Sequence, residues 1–190
     1  MGDYSGPVWG IYPGTHIVHG IDFEDDMLFP VDRCIGIGWP ATGDLTPLQC
    51  DYRKLYSLVA ATHKDVVQSH NPNNPELWFE RSARILHRFI CEAQKGDTVV
   101  YACKTREIVY AGTINQTGNS PETDGSYFFS EKHPHWHFKH FRAVTWHKET
   151  PYSSCTKSDL AQIRTQNIFW TMKNCPAKFI ENIGSGLRKK

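Results

Sequence analysis

The run Cys34-Ile35-Gly36-Ile37-Gly38-Trp39-Pro40 places the tightest limit on what this chain can fold into. Consecutive apolar and small residues read as a strand covered on both faces. Pro40 stops it, because proline cannot donate to a ladder or extend a central strand. The strand therefore delivers an indole at its mouth, beside a glycine, where a flat side chain offers a platform to a planar ligand. Segments from Gly96 through Tyr110 to Trp146 read as further strands carrying aromatics toward one opening.

Around this strand the order of elements follows from local chemistry. Val8 to Val18 predicts a strand, a turn at Pro13-Gly14 and a second extended piece, and Asp22 to Asp26 an acidic loop. Leu55, Leu58, Val59, Thr62 and Val66 recur at helical spacing behind Asp51, a cap for a helix reaching about Val67. Asn74 and Pro75 suit the cap and first position of a second helix, ending near Lys95-Gly96, with Leu77, Trp78, Arg81, Ile85 and Phe89 as its repeating face. Asp97 to Cys103 and Ile108 to Ile114 predict a hairpin across Lys104-Thr105-Arg106-Glu107. Asn115 to Ser126 reads as an exposed mobile loop, His140 to His147 as a strand, and Leu160 to Met172 as a helical or mixed segment. Strand, helix, helix, then strands predicts an α+β fold: a curved mixed sheet or partial barrel surrounded by helices, in one domain over residues 1–183, with 184–190 as a flexible tail.

Composition limits the function classes. With 39% hydrophobic and 22% charged residues in 190, the chain is of ordinary globular make-up. Its mean hydropathy is −0.50, and no apolar run is long enough for a membrane span. No secretory leader is read before Trp9, and the six cysteines show no CxxC pair, so reduced thiols in a cytoplasmic protein are expected. Net charge is +1, but it is unevenly spread. Up to Pro75 there are 4 Lys and Arg against 9 Asp and Glu, and from Glu76 onward 17 against 11. That bias fits a basic face able to meet phosphates, or charges solvated on all sides. The chain contains no P-loop, GxSxG, HExxH or dinucleotide fingerprint.

The anchors Ile35-Gly36-Ile37-Gly38-Trp39, Gly43-Asp44-Leu45, Lys95-Gly96-Asp97-Thr98-Val99, Ile108 to Ile114 and His140 to Trp146, in this order, resemble the PUA-like superfamily in its EVE and YTH-type branch. They are most similar to the DNA-recognition domains at the N-terminus of McrB-type modification-dependent restriction systems. The resemblance spans roughly Val8 to Met172. It implies a non-enzymatic reader that holds one base, modified and most simply methylated, in an aromatic pocket. DNA is the preferred partner and RNA the alternative, with a nuclease or NTPase supplied by a fused or partner protein. No cofactor, catalytic residue or metal is expected.

Trp39 is the first candidate for base binding, since an extruded base is retained largely by stacking on aromatic faces; the competing role is a core tryptophan. Thr42 and Asp44 stand where a hydroxyl or carboxylate can read a base edge, although Asp44 is equally suited to capping a turn. Trp9, Tyr110 and Trp136 are candidates for a second pocket wall, within a pool that includes Tyr12 and Tyr127. Arg81, Arg84, Arg88, Lys104, Arg106 and Lys139, with Lys132, form the candidate phosphate set, weighed against a plain solvated helix face. His133, His135 and His137 alternate and raise a metal-dependent β-barrel enzyme as a less favoured reading, which Pro134 and the lack of a nearby carboxylate oppose.

Overall fold

The computed structural model describes residues 7–11, 16–18, 21–23, 33–65, 74–103, 106–132, 138–163 and 169–172. The fold is mixed α+β. In chain order the elements are β1 (Val8–Ile11), β2 (His16–Val18), β3 (Ile21–Phe23), β4 (Cys34–Ile37), α1 (Tyr52–Thr62), α2 (Pro75–His87), β5 (Thr98–Cys103), β6 (Ile108–Ile114), α3 (Pro121–Asp124), β7 (Tyr127–Phe129), β8 (His140–Pro151), α4 (Lys157–Ile163) and β9 (Phe169–Thr171). Short 3-10 turns at Pro40–Thr42, Thr46–Leu48 and Tyr152–Ser154 punctuate them, and a π turn at Arg88–Glu92 extends α2. The main sheet has the order β4-β8-β6-β5-β1-β9, with β7 also paired to β8; β2 and β3 form a separate antiparallel pair that takes in Asp22, assigned to a loop above. β1 and β5 run parallel, Val8 facing Thr98, whereas β1–β9, β5–β6 and β6–β8 pair antiparallel.

Two compact units divide the chain. One comprises Met1–Ile35, Gln94–Ser126 and Arg142–Lys190, the other Gly36–Ala93 and Tyr127–Phe141, so the divisions fall inside β4 and β8. In the first unit β5 is buried at every position, as its unbroken apolar run requires. Val8, Val100, Ala102, Val109 and Ala111 pack with Tyr152, Ile163 and Met172 in one cluster, and Tyr101 stacks on Tyr110 at 5.8 Å, with Trp146 beside both. Trp9 stacks on Phe169 at 4.9 Å and donates its indole N–H to Asp97 Oδ2 at 2.7 Å, which gives both buried polar groups a partner. The segment expected to be a mobile loop is built instead. Ser120 and Thr123 form a capping box on α3, Lys95 pairs with Asp124, and Arg142 donates to the Gly125 carbonyl at 2.8 Å.

In the second unit α1 packs on α2 and on the Pro40–Thr42 turn. Asp51 caps α1 by accepting from the Arg53 and Lys54 amides, and Asn74 caps α2 by accepting from Leu77, with Pro75 following. The inward face of α2 is Phe79, Ser82, Ala83 and Leu86, continued by Phe89, not the face read through Leu77 and Arg81. Leu77 is exposed, whereas the small Ser82 and Ala83 are buried. Gly36 permits another close approach: a Cβ there would stand 2.8 Å from Phe141 Cε1. The thiol expectation is corrected at Cys50 and Cys91, which are joined by a disulfide; Cys34, Cys103 and Cys155 are not disulfide-bonded, and Cys175 lies outside the described residues. Among the described residues no helix is long and apolar enough to cross a membrane.

The β6–β8 register slips between Ala111 and Gly112, and a Cβ on Gly112 would lie 2.7 Å from the Thr145 carbonyl and from Val144 Cγ1. Gly112→Ala is expected to destabilise the protein by about 1–3 kcal/mol, measured as a lowered urea midpoint with an unchanged slope.

Candidate functional site

Where β4 ends, Trp39 takes φ 64 and ψ 49, a left-handed conformation that disfavours any side chain with a Cβ. The turn survives because its carbonyl is grasped from several directions. Trp39 O accepts from Thr42 N at 3.1 Å, Thr42 Oγ1 at 2.7 Å and His140 Nε2 at 3.1 Å. Gly43 closes the turn at φ 66 and ψ −163, a region essentially reserved for glycine. Asp44 Oδ1 then accepts from Thr46 N at 2.9 Å and Thr46 Oγ1 at 2.8 Å, which starts the next 3-10 turn.

His140 is the centre of this construction, with 0% of its surface exposed. The proton positions follow from the donors available. The Leu45 amide can only donate, so at 3.2 Å the Tyr127 oxygen accepts it. Tyr127 then has its own proton to give to His140 Nδ1 at 2.9 Å. Nδ1 is thereby the acceptor, and Nε2 carries the hydrogen donated to Trp39 O, with Thr42 Oγ1 at 3.1 Å from the same nitrogen. Burial pushes the His140 pKa down to about 4, opposed by the Trp39 carbonyl and by the charge of Asp44, so the ring is neutral as the network requires. Tyr127 stacks on the imidazole at 5.9 Å and Phe129 tilts against it at 5.4 Å.

The Trp39 ring is half-buried, and none of the ring contacts found among the described residues involves it. Thr42 and His140 lie at hydroxyl–imidazole distance but do not form a nucleophile–base pair. Nε2 is already protonated, and the Thr42 proton goes to Trp39 O. What the arrangement fixes is the backbone of the Trp39 turn, through its carbonyl.

The other expected residues fall elsewhere. Thr42 is 6% exposed and braces the turn from behind, with its hydroxyl committed, so it is not placed to read a base edge. Asp44 is exposed and caps the turn through one oxygen. Trp9 and Tyr110, each 2% exposed, are core residues of the first unit, and their assignment to a pocket wall is corrected: Trp9 is spent on Phe169 and Asp97, Tyr110 on Tyr101 and Trp146. Burial raises the Tyr110 phenol pKa, while a hydrogen bond with Arg106 acts the other way. Trp136, Lys104, Tyr12 and the histidines at 133, 135 and 137 lie outside the described residues. Arg81 and Arg84 are exposed on α2, Arg88 is half-buried, and Arg106 is exposed in the first unit. Arg84 is paired with Glu80, and Lys139 donates to the Glu131 carbonyl at 2.8 Å. Among the described residues no group of three or more His, Cys, Asp or Glu is arranged to hold a metal.

Sequence reasoning treated His140 as part of a strand motif and passed over Phe129. Tyr127 and Phe129 are two apart on β7, which pairs with β8, and the period of two puts both on the face that meets His140.

Because the native pKa of His140 lies below its ordinary 6.5, the unfolded chain takes up the proton first as pH falls. Its contribution to stability is complete above about 6.5 and is lost toward pH 4, by about 3 kcal/mol over the interval. His63 and His147, also lowered by burial, act in the same direction. Urea denaturation at about pH 7 and about pH 4.5 is expected to show a markedly smaller pH dependence in His140→Gln than in the unaltered protein.

The sequence model of a family described as a domain of unknown function, DUF8426, matches residues 31–172, a span that includes β4 through β9. No curated protein and no solved structure matches the chain. The matched span contains the Trp39 turn, His140, Tyr127 and both bonded cysteines, and by it the chain belongs to the DUF8426 family.

Proposed function

We propose that this protein is a non-enzymatic reader of a modified base in DNA, built on a PUA-like fold of the EVE and YTH type, with Trp39 as the stacking surface. The observation that carries the reading is the left-handed Trp39, whose carbonyl is held by Thr42 and His140 while its ring has no aromatic partner among the described residues. Backbone strain retained against its cost, at a residue suited to stacking, is a reason to look for a ligand there. Selectivity for a methylated base would come from apolar area buried beside the indole. The exposed Arg81 and Lys132 of the same unit suit contact with the phosphate backbone. In this reading the protein is cytoplasmic and serves as the targeting module of a restriction or defence system, with nuclease or NTPase activity supplied by a fused or partner protein.

Titration with DNA and RNA oligonucleotides, each with and without modified bases, tests the reading. Preference for modified DNA is expected, and preference for RNA regardless of modification would reject it. Trp39→Ala and Trp39→Gly should each lose about ten- to a hundredfold in selective affinity, since stacking contributes about 1–3 kcal/mol per base. Trp39→Gly should be at least as stable as Trp39→Ala, because glycine relieves the left-handed turn. A folded glycine variant that still discriminates modified from unmodified DNA would remove Trp39 from the site.

Arg81 has no ion-pair partner among the described residues, whereas Arg84 is already paired with Glu80. Arg81→Ala is therefore expected to weaken binding to all sequences and to reduce the slope of log affinity against log salt by about one, with a smaller effect from Arg84→Ala.

A further inference from the structure

The disulfide between Cys50 and Cys91 bridges a sequence separation of 41 within the second unit, and its two ends share an unusual property. Neither lies in relaxed backbone. Gln49 has φ 48 and ψ 40 and Cys50 has φ 62, two consecutive non-glycine residues on the left-handed side, where each is disfavoured. Cys91 lies in the π turn Arg88–Glu92, whose Ala93 amide reaches back to the Arg88 carbonyl at 2.9 Å. Such turns are rare and require a local cause. The covalent bond is a restraint common to both. It is also accessible, because Cys50 is exposed and Cys91 half-buried.

The stretch between Trp39 and Cys50 is short and tied along its length. Asp44 holds Thr46, the Leu45 amide donates to Tyr127, Gln49 N donates to Thr46 O, and Asp51 N to Leu48 O. A change at Cys50 is therefore felt within a few residues by the bonds that fix the Trp39 turn.

We infer that Cys50–Cys91 is an exchangeable redox link that holds the Leu45–Asp51 segment and, through it, the Trp39 turn. The reductant is a small thiol. Its thiolate attacks the exposed Cys50 sulfur, forms a mixed disulfide there and releases Cys91 as a thiolate. A second thiol attacks the small-molecule sulfur of that mixed disulfide and releases Cys50. In sum two thiols become one small-molecule disulfide, and their two electrons and two protons end on the two cysteines. Once the bond is open, Gln49 and Cys50 leave the left-handed region and the π turn returns to α-helical pairing. The effect on base binding rests on the function proposed above; the opening of the link does not.

The test uses the full chain in buffers of graded reduced and oxidised glutathione, with thiol trapping read by mass spectrometry and amide hydrogen exchange measured in the same samples. The expected result is opening of Cys50–Cys91 in the folded protein. Exchange should then be at least about tenfold faster over residues 46–51 and 88–93, with no change in β5 and β6. Gln49→Gly, which removes a left-handed penalty, should resist reduction about fivefold more than Gln49→Ala, which keeps it. A link that opens only on global unfolding, opening without faster exchange, or equal resistance in the two Gln49 variants would each overturn the inference. Oligonucleotide binding is measured in both states. Equal binding by the oxidised and reduced protein would overturn the coupling to Trp39, whereas failure to bind in either state counts against the proposed function alone and leaves the exchange result to decide the link.

Discussion

The Trp39 turn exists because one buried imidazole is held neutral and used at both ends. A left-handed tryptophan is an unfavourable local choice, offset within the turn by Thr42 N and Thr42 Oγ1, which both bond its carbonyl. His140 adds a third bond from a strand about a hundred residues further along, donating from Nε2 to the Trp39 carbonyl while Nδ1 takes the Tyr127 proton. Removing water from this site makes each of these bonds stronger and makes any unpaired member costly. The same burial keeps the ring uncharged near neutrality, which the donor pattern demands.

The two units solve the problem of buried polar groups in parallel ways. In the first, Asp97 receives the Trp9 indole and the Gln94 amide, and Arg142 is satisfied in part by the Gly125 carbonyl. In the second, Thr42, Tyr127 and His140 share their donors and acceptors in one chain of bonds. The difference lies in where the aromatic ends up. Trp9 is sealed into its core by Phe169, whereas Trp39 has its backbone held and its ring left without an aromatic neighbour among the described residues. That contrast separates a tryptophan stacked in a core from one left half-buried, although the two look alike in sequence beside glycine.

Much of the architecture was legible because it rests on short-range chemistry. The caps at Asp51 and Asn74, the hairpin of β5 and β6, and the end of β4 before Pro40 follow from rules acting over a few residues. What failed to read correctly depended on distant partners. The inward face of α2 was misread because Ser82 and Ala83 look polar or neutral in sequence, and only the folded chain buries them. The segment Asn115 to Ser126 looked slack by composition, yet its hydroxyls cap α3 and its Gly125 carbonyl accepts a buried arginine. Six unpatterned cysteines gave no sign that two of them, 41 positions apart, come within bonding distance.

By itself the sequence determined an α+β chain with a buried strand ending in an indole, two capped helices and a central hairpin, since propensity, capping and periodicity are local properties of the polymer. Tertiary structure alone decided which tryptophan is enclosed and which is half-buried, which hydroxyls are spent on the backbone, and which histidine is neutral. Those outcomes depend on removal from water and on partners brought from far along the chain, neither of which a linear order of residues contains.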